Sequence, residues 1–272
     1  MPTKSDNVRR SPIAALLYGA PIGLLGGLIG LGGAEFRLPV LAGAFRYPAR
    51  RAVALNLAIS LVTVVSALLI RGGTLSLAPV LGLLPVVLAM MAGAVSAAFL
   101  GVALVHRISE RMLERFILVL LVGIGVALVV EVFLPQDVSG FLPEGSWLPL
   151  RLAFATLFGL FIGLVSSLLG VAGGELIIPT LMFAFGAGIK TAGTASLLIS
   201  LPTVAVGVLR HRRLGSFTVR ADLTQAVAPM GVRSVVGAVA GGLFVGVVPA
   251  AALKFVLGVI LIVSAARIFR GH

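Results

Sequence analysis

Residues 23–39 read GLLGGLIGLGGAEFRLP and residues 163–179 read GLVSSLLGVAGGELIIP, and the two align without a gap at an offset of 140 residues. Seven of these seventeen positions are identical: Gly23/Gly163, Leu24/Leu164, Leu28/Leu168, Gly30/Gly170, Gly33/Gly173, Glu35/Glu175 and Pro39/Pro179. The same offset pairs Asn56 with Ser196, Ser60 with Ser200 and Thr63 with Thr203. The chain therefore contains one unit twice, and each unit interrupts an apolar run with glycines, then a carboxylate, then a proline.

Composition identifies the solvent. With 59% hydrophobic residues, 11% charged residues and a mean hydropathy of +1.17, the 272-residue chain lacks the polar surface to cover a soluble globule. Apolar stretches of eighteen or more residues recur along its length, the pattern of an all-α polytopic membrane protein whose first partner is the lipid bilayer. The net charge of +12 does not imply nucleic-acid binding, because the basic residues lie in short clusters between apolar runs, as orientation in a bilayer requires. Cysteine is absent, which excludes disulfides, thiolate metal sites and cysteine nucleophiles. Lys4, Arg9 and Arg10 precede an apolar run that continues through Gly33 without a cleavage signal, so it reads as a retained first helix.

Long apolar segments fall at about 13–33, 52–70, 78–105, 113–133, 151–173, 191–209, 223–248 and 251–268. Two more, 36–45 and 176–186, are too short to cross a hydrocarbon core of about 30 Å at 1.5 Å per residue. If these were loops, eight helices in two parallel repeats would divide the basic clusters between both membrane faces. If each is the return arm of a hairpin, one face collects Lys4, Arg9, Arg10, Arg46, Arg50, Arg51, Arg107, Arg111, Arg115, Arg210, Arg212, Arg213, Arg220, Arg267 and Arg270. Only Arg71, Arg151, Lys190 and Lys254 then lie on the other face, with Arg37 and Arg233 at membrane depth. The positive-inside rule favours the hairpins, both termini cytoplasmic and the linker outside, in a bacterial-type inner membrane. The expected organisation is a cytoplasmic tail (1–12), a first transmembrane repeat (13–133), an extracytoplasmic linker (134–150) and a second repeat (151–269). Five segments per half is an odd number, so the repeats are inverted, each a Gly-tipped hairpin plus three transmembrane helices.

Unwound backbone inside a membrane survives only where protein, water or a ligand satisfies it. Gly30, Gly32 and Gly33, with Gly170, Gly173 and Gly174, permit positive φ and close approach of the main chain to a ligand. Pro39 and Pro179 are expected near the start of the return arms, where a missing amide hydrogen matters little. The free amides there suit an anion, the arrangement of transporters with broken helices; the alternative is that the glycines only permit tight packing. Arg37 is the foremost candidate anion contact, because its planar guanidinium offers a fork of donors to an oxyanion, and Arg233 is the second. Glu35 and Glu175 either cap their return helices or carry a coupling proton. Asn56, Ser60, Ser196 and Ser200 line the path as neutral donors or join helices by hydrogen bonds.

GGLIGLGGAEFRLP and SSLLGVAGGELIIP resemble the paired motifs of the TauE/SafE sulfite-exporter family, also called the toluene-sulfonate uptake permease family, and the likeness runs over residues 13–269. The resemblance implies a permease for sulfite, an organosulfonate or a related sulfur-containing anion, working by secondary transport. It leaves substrate and direction open. The two motifs differ where Ala34 faces Gly174 and Arg37 faces Ile177. A passive anion channel and a non-transporting membrane scaffold are the rival readings, and a homo-oligomer is compatible with the sequence. His106, His211 and His272 fall in loops or the tail with no helical ligand pair among them, and there is no Walker motif. Catalysis, a metal site, a cofactor and ATP coupling are therefore not expected.

Overall fold

The computed structural model describes residues 16–19, 33–74, 78–131, 140–142, 147–217 and 227–244, with single positions at 22, 24, 133, 224, 255, 259 and 262. Among these the regular structure is entirely helical. In chain order the elements are α1 (Ala34–Pro39), a π-helical stretch (Val40–Ala44), α2 (Ala49–Thr74), α3 (Ala78–Leu81), α4 (Leu84–Arg107), α5 (Glu110–Glu131), α6 (Leu148–Leu169), α7 (Gly174–Phe185), α8 (Ile189–Arg213) and α9 (Ala228–Phe244). Four of them are long and apolar enough to cross a membrane: 49–69 within α2, α4, α6 and 191–213 within α8. The expected segments 13–33 and 251–268 lie largely outside the described residues.

The expected segment 78–105 is divided, because Pro85 near the start of α4 cannot donate to the preceding turn, and the chain restarts there after Gly82 and Leu83. Ser109 begins α5 by accepting the amide of Met112 (3.3 Å). The two short segments are helical return arms, starting at Ala34 and Gly174, at the same 140-residue offset as the sequence repeat. The helices after them, α2 and α8, also start at that offset.

Side-chain contacts give the directions. A Cβ placed on Gly159 would strike the Met90 carbonyl, one on Gly163 the Ala94 carbonyl and one on Gly101 the Ser167 side chain. The numbers rise together, so α4 and α6 run parallel, with backbones close enough that only glycine fits at the seam. The amides of Phe141 and Leu142, just before α6, donate to the carbonyls of Phe183 and Ala184 at the end of α7 (3.3 and 2.8 Å). Thus α7, about 18 Å long by its rise per residue, returns toward the side from which α6 sets out.

The other end of the bundle gathers the start of α2, the ends of α4 and α8 and the start of α5. Arg50 donates to the carbonyls of Val105 (3.1 Å) and Ile108 (2.7 Å) and lies 3.7 Å from Glu110. His106 meets His211 there, at 3.4 Å. Hence α2 leaves this end and α8 arrives at it, the two running antiparallel with Leu57 filling the space beside Gly207. Leu57, Val64, Leu197 and Val204 form their shared core.

The third helix of each half crosses over. α4 packs on α6 and α8, and α9 packs on α2, with Met230 and Arg233 against Gly19. One core surrounds α1, α2 and α5, including Leu38, Leu41, Leu55 and Ile117, and a second joins α4, α6, α7 and α8 through Met90, Ile177, Leu181 and Ile199.

Gly163→Ala drives a methyl into the α4 backbone, and the thermal midpoint in detergent is expected to fall by the equivalent of about 1–3 kcal/mol. Gly123→Ala, whose Cβ meets nothing within 4 Å, is the matched control and should be neutral or stabilising by up to ~1 kcal/mol. Equal behaviour of the two variants would refute a close-packed α4–α6 seam. Impermeant maleimide should label cysteines replacing exposed Arg46 and Arg212 from one membrane face and a cysteine replacing Trp147 from the opposite face. Labelling of all three from one side would contradict the helix directions.

Candidate anion site at the hairpin tips

The second tip is a tight reversal built on glycine. Gly170 ends α6 at φ 65°, and Gly173 precedes α7 at φ 81°, both left-handed. A Cβ on Gly170 would also collide with the Val53 carbonyl of α2, so conformation and close approach both require glycine here. The first tip repeats the geometry at Gly33, φ 69°, immediately before α1. Gly30 and Gly32 lie outside the described residues, and Gly174 is the buried first residue of α7.

Both prolines sit deeper in their arms than the sequence suggests. Pro39 and Pro179 are each the sixth helical residue, beyond the free amides of the first turn. Each therefore removes the amide that would bond the carbonyl of Glu35 or Glu175. After Pro39 the chain widens into the π-helical stretch, a common way to absorb a disturbed ladder.

Asn56 of α2 lies between the two tips. Its Nδ2 donates to the carbonyl of Ala34 at the start of α1 (2.9 Å) and, at a longer 3.5 Å, to that of Leu169 at the end of α6. Its Oδ1 accepts from Arg37 Nε (3.2 Å). Arg37 Nη2 donates to Ser60 Oγ (3.1 Å), and that hydroxyl donates to the Asn56 carbonyl one turn back (2.9 Å). Arg37 is fully buried. A mid-membrane arginine costs about 2.5–3.5 kcal/mol, and hydrogen bonds involving a charged group return about 1.5–3 kcal/mol each, so the polar cradle offsets its burial.

The second half is built differently. Ser200 donates to the Ala172 carbonyl within the tip (2.7 Å), whereas Ser196 bonds its own helix at Gly193 (3.0 Å). The position equivalent to Arg37 is buried Ile177. Glu175 is 4% exposed, and neither carboxyl oxygen has a hydrogen-bond partner, so it does not cap α7. A helix start favours a carboxylate by about 0.3–1 kcal/mol, while burial of an ion costs several kcal/mol. Position alone does not offset burial of the ionised group. The side chain of Glu35 is outside the described residues.

Arg233 is not part of this assembly. It is exposed on α9 with its Cβ against Gly19, because an apolar run carries no mark of which face a single arginine occupies. The histidines also need correction. His106 and His211 belong to the last turns of α4 and α8, and their rings touch, with Ser216 Oγ 3.1 Å from His211 Nδ1. A separation of 105 residues hid that contact.

A sequence model of the family described as "Sulfite exporter TauE/SafE" matches residues 2–128 and 155–272. The chain belongs to the TauE/SafE family. A probable membrane transporter protein of Methanocaldococcus jannaschii is 29% identical over 128 residues, which cover 45% of this chain and 46% of that protein. No solved structure matches the chain. The two matched stretches of this TauE/SafE protein each contain one copy of the repeated motif, and four of its helices are long and apolar enough to cross a membrane.

Asn56→Leu removes the amide that joins α1, α2 and α6 while keeping the side chain's size. It strands the Ala34 carbonyl and one Arg37 donor, and the expected loss is about 1–3 kcal/mol per buried group left unsatisfied, read as a lower midpoint in detergent. Ser66→Ala, which removes an exposed hydroxyl bonded only within its own helix, should change it little. A fully stable Asn56→Leu variant would show that Asn56 does not hold the tips.

Proposed function

We propose that this TauE/SafE protein is a secondary permease for a small sulfur oxyanion or organosulfonate, bound between the hairpin tips with Arg37 as its principal cation. The observation that carries this reading is the fully buried Arg37 beside the first tip, its guanidinium plane set by Asn56 and Ser60. A planar fork of donors suits the tetrahedral or pyramidal oxygens of sulfonate and sulfite. Gly33, Gly170, Gly173, Gly174 and Ser200 supply main chain and a hydroxyl close by, and Ser196 lies further along α8.

An inverted repeat is part of the same proposal. Its support is the shared 140-residue offset of the return arms, the two left-handed glycines before them, and the antiparallel run of α2 and α8. A substrate held where two oppositely directed halves meet is reachable from either face by moving one body against the other. Cytoplasmic termini and an inner-membrane location are supported by the collection of Arg46, Arg50, Arg107 and Arg212 at one end of the bundle.

Counterflow of radiolabelled sulfite into proteoliposomes preloaded with unlabelled sulfite, corrected for empty liposomes, tests the reading. Arg37→Gln should weaken half-saturation by roughly 10- to 100-fold, the loss of a charge-assisted contact, and Arg37→Lys should recover part of it. Absence of counterflow in the parent, with sulfite and with an alkanesulfonate, would overturn the permease assignment. Tight binding by Arg37→Gln would move the anion contact to another residue.

A further inference from the structure

Glu175 is the one charged residue of α7, in the sequence GELIIPTLMFAF. The residue is 4% exposed, both carboxyl oxygens lie below the surface, and no hydrogen bond holds either. We propose that Glu175 is the proton-binding residue of the transport cycle, alternating between carboxylate and carboxylic acid as the second tip meets water on one face and then the other. The inference rests on the permease reading above and adds a coupling ion and its residue.

The surroundings favour a proton over a fixed ion pair. α7 packs against α8 and α6. The charges on α8 are Lys190 in its first turn and Arg210, His211, Arg212 and Arg213 in its last, while the middle facing the tip carries Ser196, Ser200 and Thr203. On α6 the charge is Arg151, in the first turn, at the end opposite the tip. The buried cation of the first half, Arg37, is bonded to Asn56, which reaches the second tip at the Leu169 carbonyl. At the position equivalent to Arg37, Ile177 contributes packing and no charge. A carboxyl so placed is neutral with its proton and carries one negative charge without it, and the difference is one proton moved per cycle. Arg37 and Glu175 thus divide the work, one tip holding the anion and the other the proton, a division in which the first half carries Arg37 and Asn56 where the second carries Ile177 and Ser196.

The test uses full-length protein in proteoliposomes with radiolabelled sulfite. Counterflow without a pH gradient reports the permease, and accumulation driven by an imposed gradient reports coupling. One pH unit sustains about tenfold accumulation per proton carried. Glu175→Gln, nearly isosteric, is expected to keep counterflow within about twofold of the parent and to lose accumulation roughly tenfold, to the level set by exchange alone. Glu175→Asp, which retains a carboxyl, is expected to keep accumulation with an altered pH profile, and it serves as the second variant should Glu175→Gln not fold. Infrared difference spectra on anion addition should show a protonated-carboxyl carbonyl band in the parent that is missing in Glu175→Gln. Accumulation by Glu175→Gln equal to the parent's overturns the assignment, as does its loss in Glu175→Asp with counterflow intact. Uphill uptake that follows a sodium gradient at fixed pH also overturns it. Loss of counterflow in the parent is a different result and removes the permease reading itself.

Discussion

Every helix that stops inside a bilayer leaves carbonyls and amides that lipid cannot satisfy, and the architecture of this chain follows from the side chains that answer that demand. Asn56 reaches the carbonyls of Ala34 and Leu169 from a single amide nitrogen. Ser200 reaches the Ala172 carbonyl from the facing helix. Two polar side chains on α2 and α8 thus stand where water would stand in a soluble protein. Their helices pack against each other, and moving either disturbs a tip.

The same demand explains why the halves are similar in backbone and different in chemistry. The left-handed glycines, the arm starts and the interior prolines recur at one offset, because the chain must reverse twice in the same manner. Side chains at the reversals escape that requirement. Arg37 needs Asn56 and Ser60, and so the first half carries an amide where the second carries Ser196. Ile177 needs only packing and is joined by Leu181 and Ile199. A repeat can therefore specialise its two tips without altering its fold.

Much of this was legible before any coordinates. The starts of α1 and α7 coincide with the repeated Gly-Glu-Pro pattern because glycine is close to obligatory at a left-handed reversal. The lengths of the two short arms followed from the rise of a helix, and the basic clusters indicated which helix ends meet. What escaped was long-range or angular. Periodicity in a wholly apolar run does not tell which way Arg233 points. Nothing local marks His106 and His211 as neighbours, and a proline four residues past a carboxylate gives no sign that its helix will widen to a π-turn. Asn56 was visible as a polar residue in an apolar helix, but its partners come from segments 22 and 113 residues away.

The glycine seam between α4 and α6 bears on how the protein is made. α4 enters the membrane with the first half, yet the surface of Gly93 and Gly101 fits only a helix that the ribosome delivers some sixty residues later. Until residues 148–169 arrive, that face of α4 has only lipid against it. Synthesis order thus makes the linker between the halves a timing element. Its length sets how long a nascent bundle waits with its tightest joint unclosed, and lengthening it should slow assembly while leaving the finished structure unchanged.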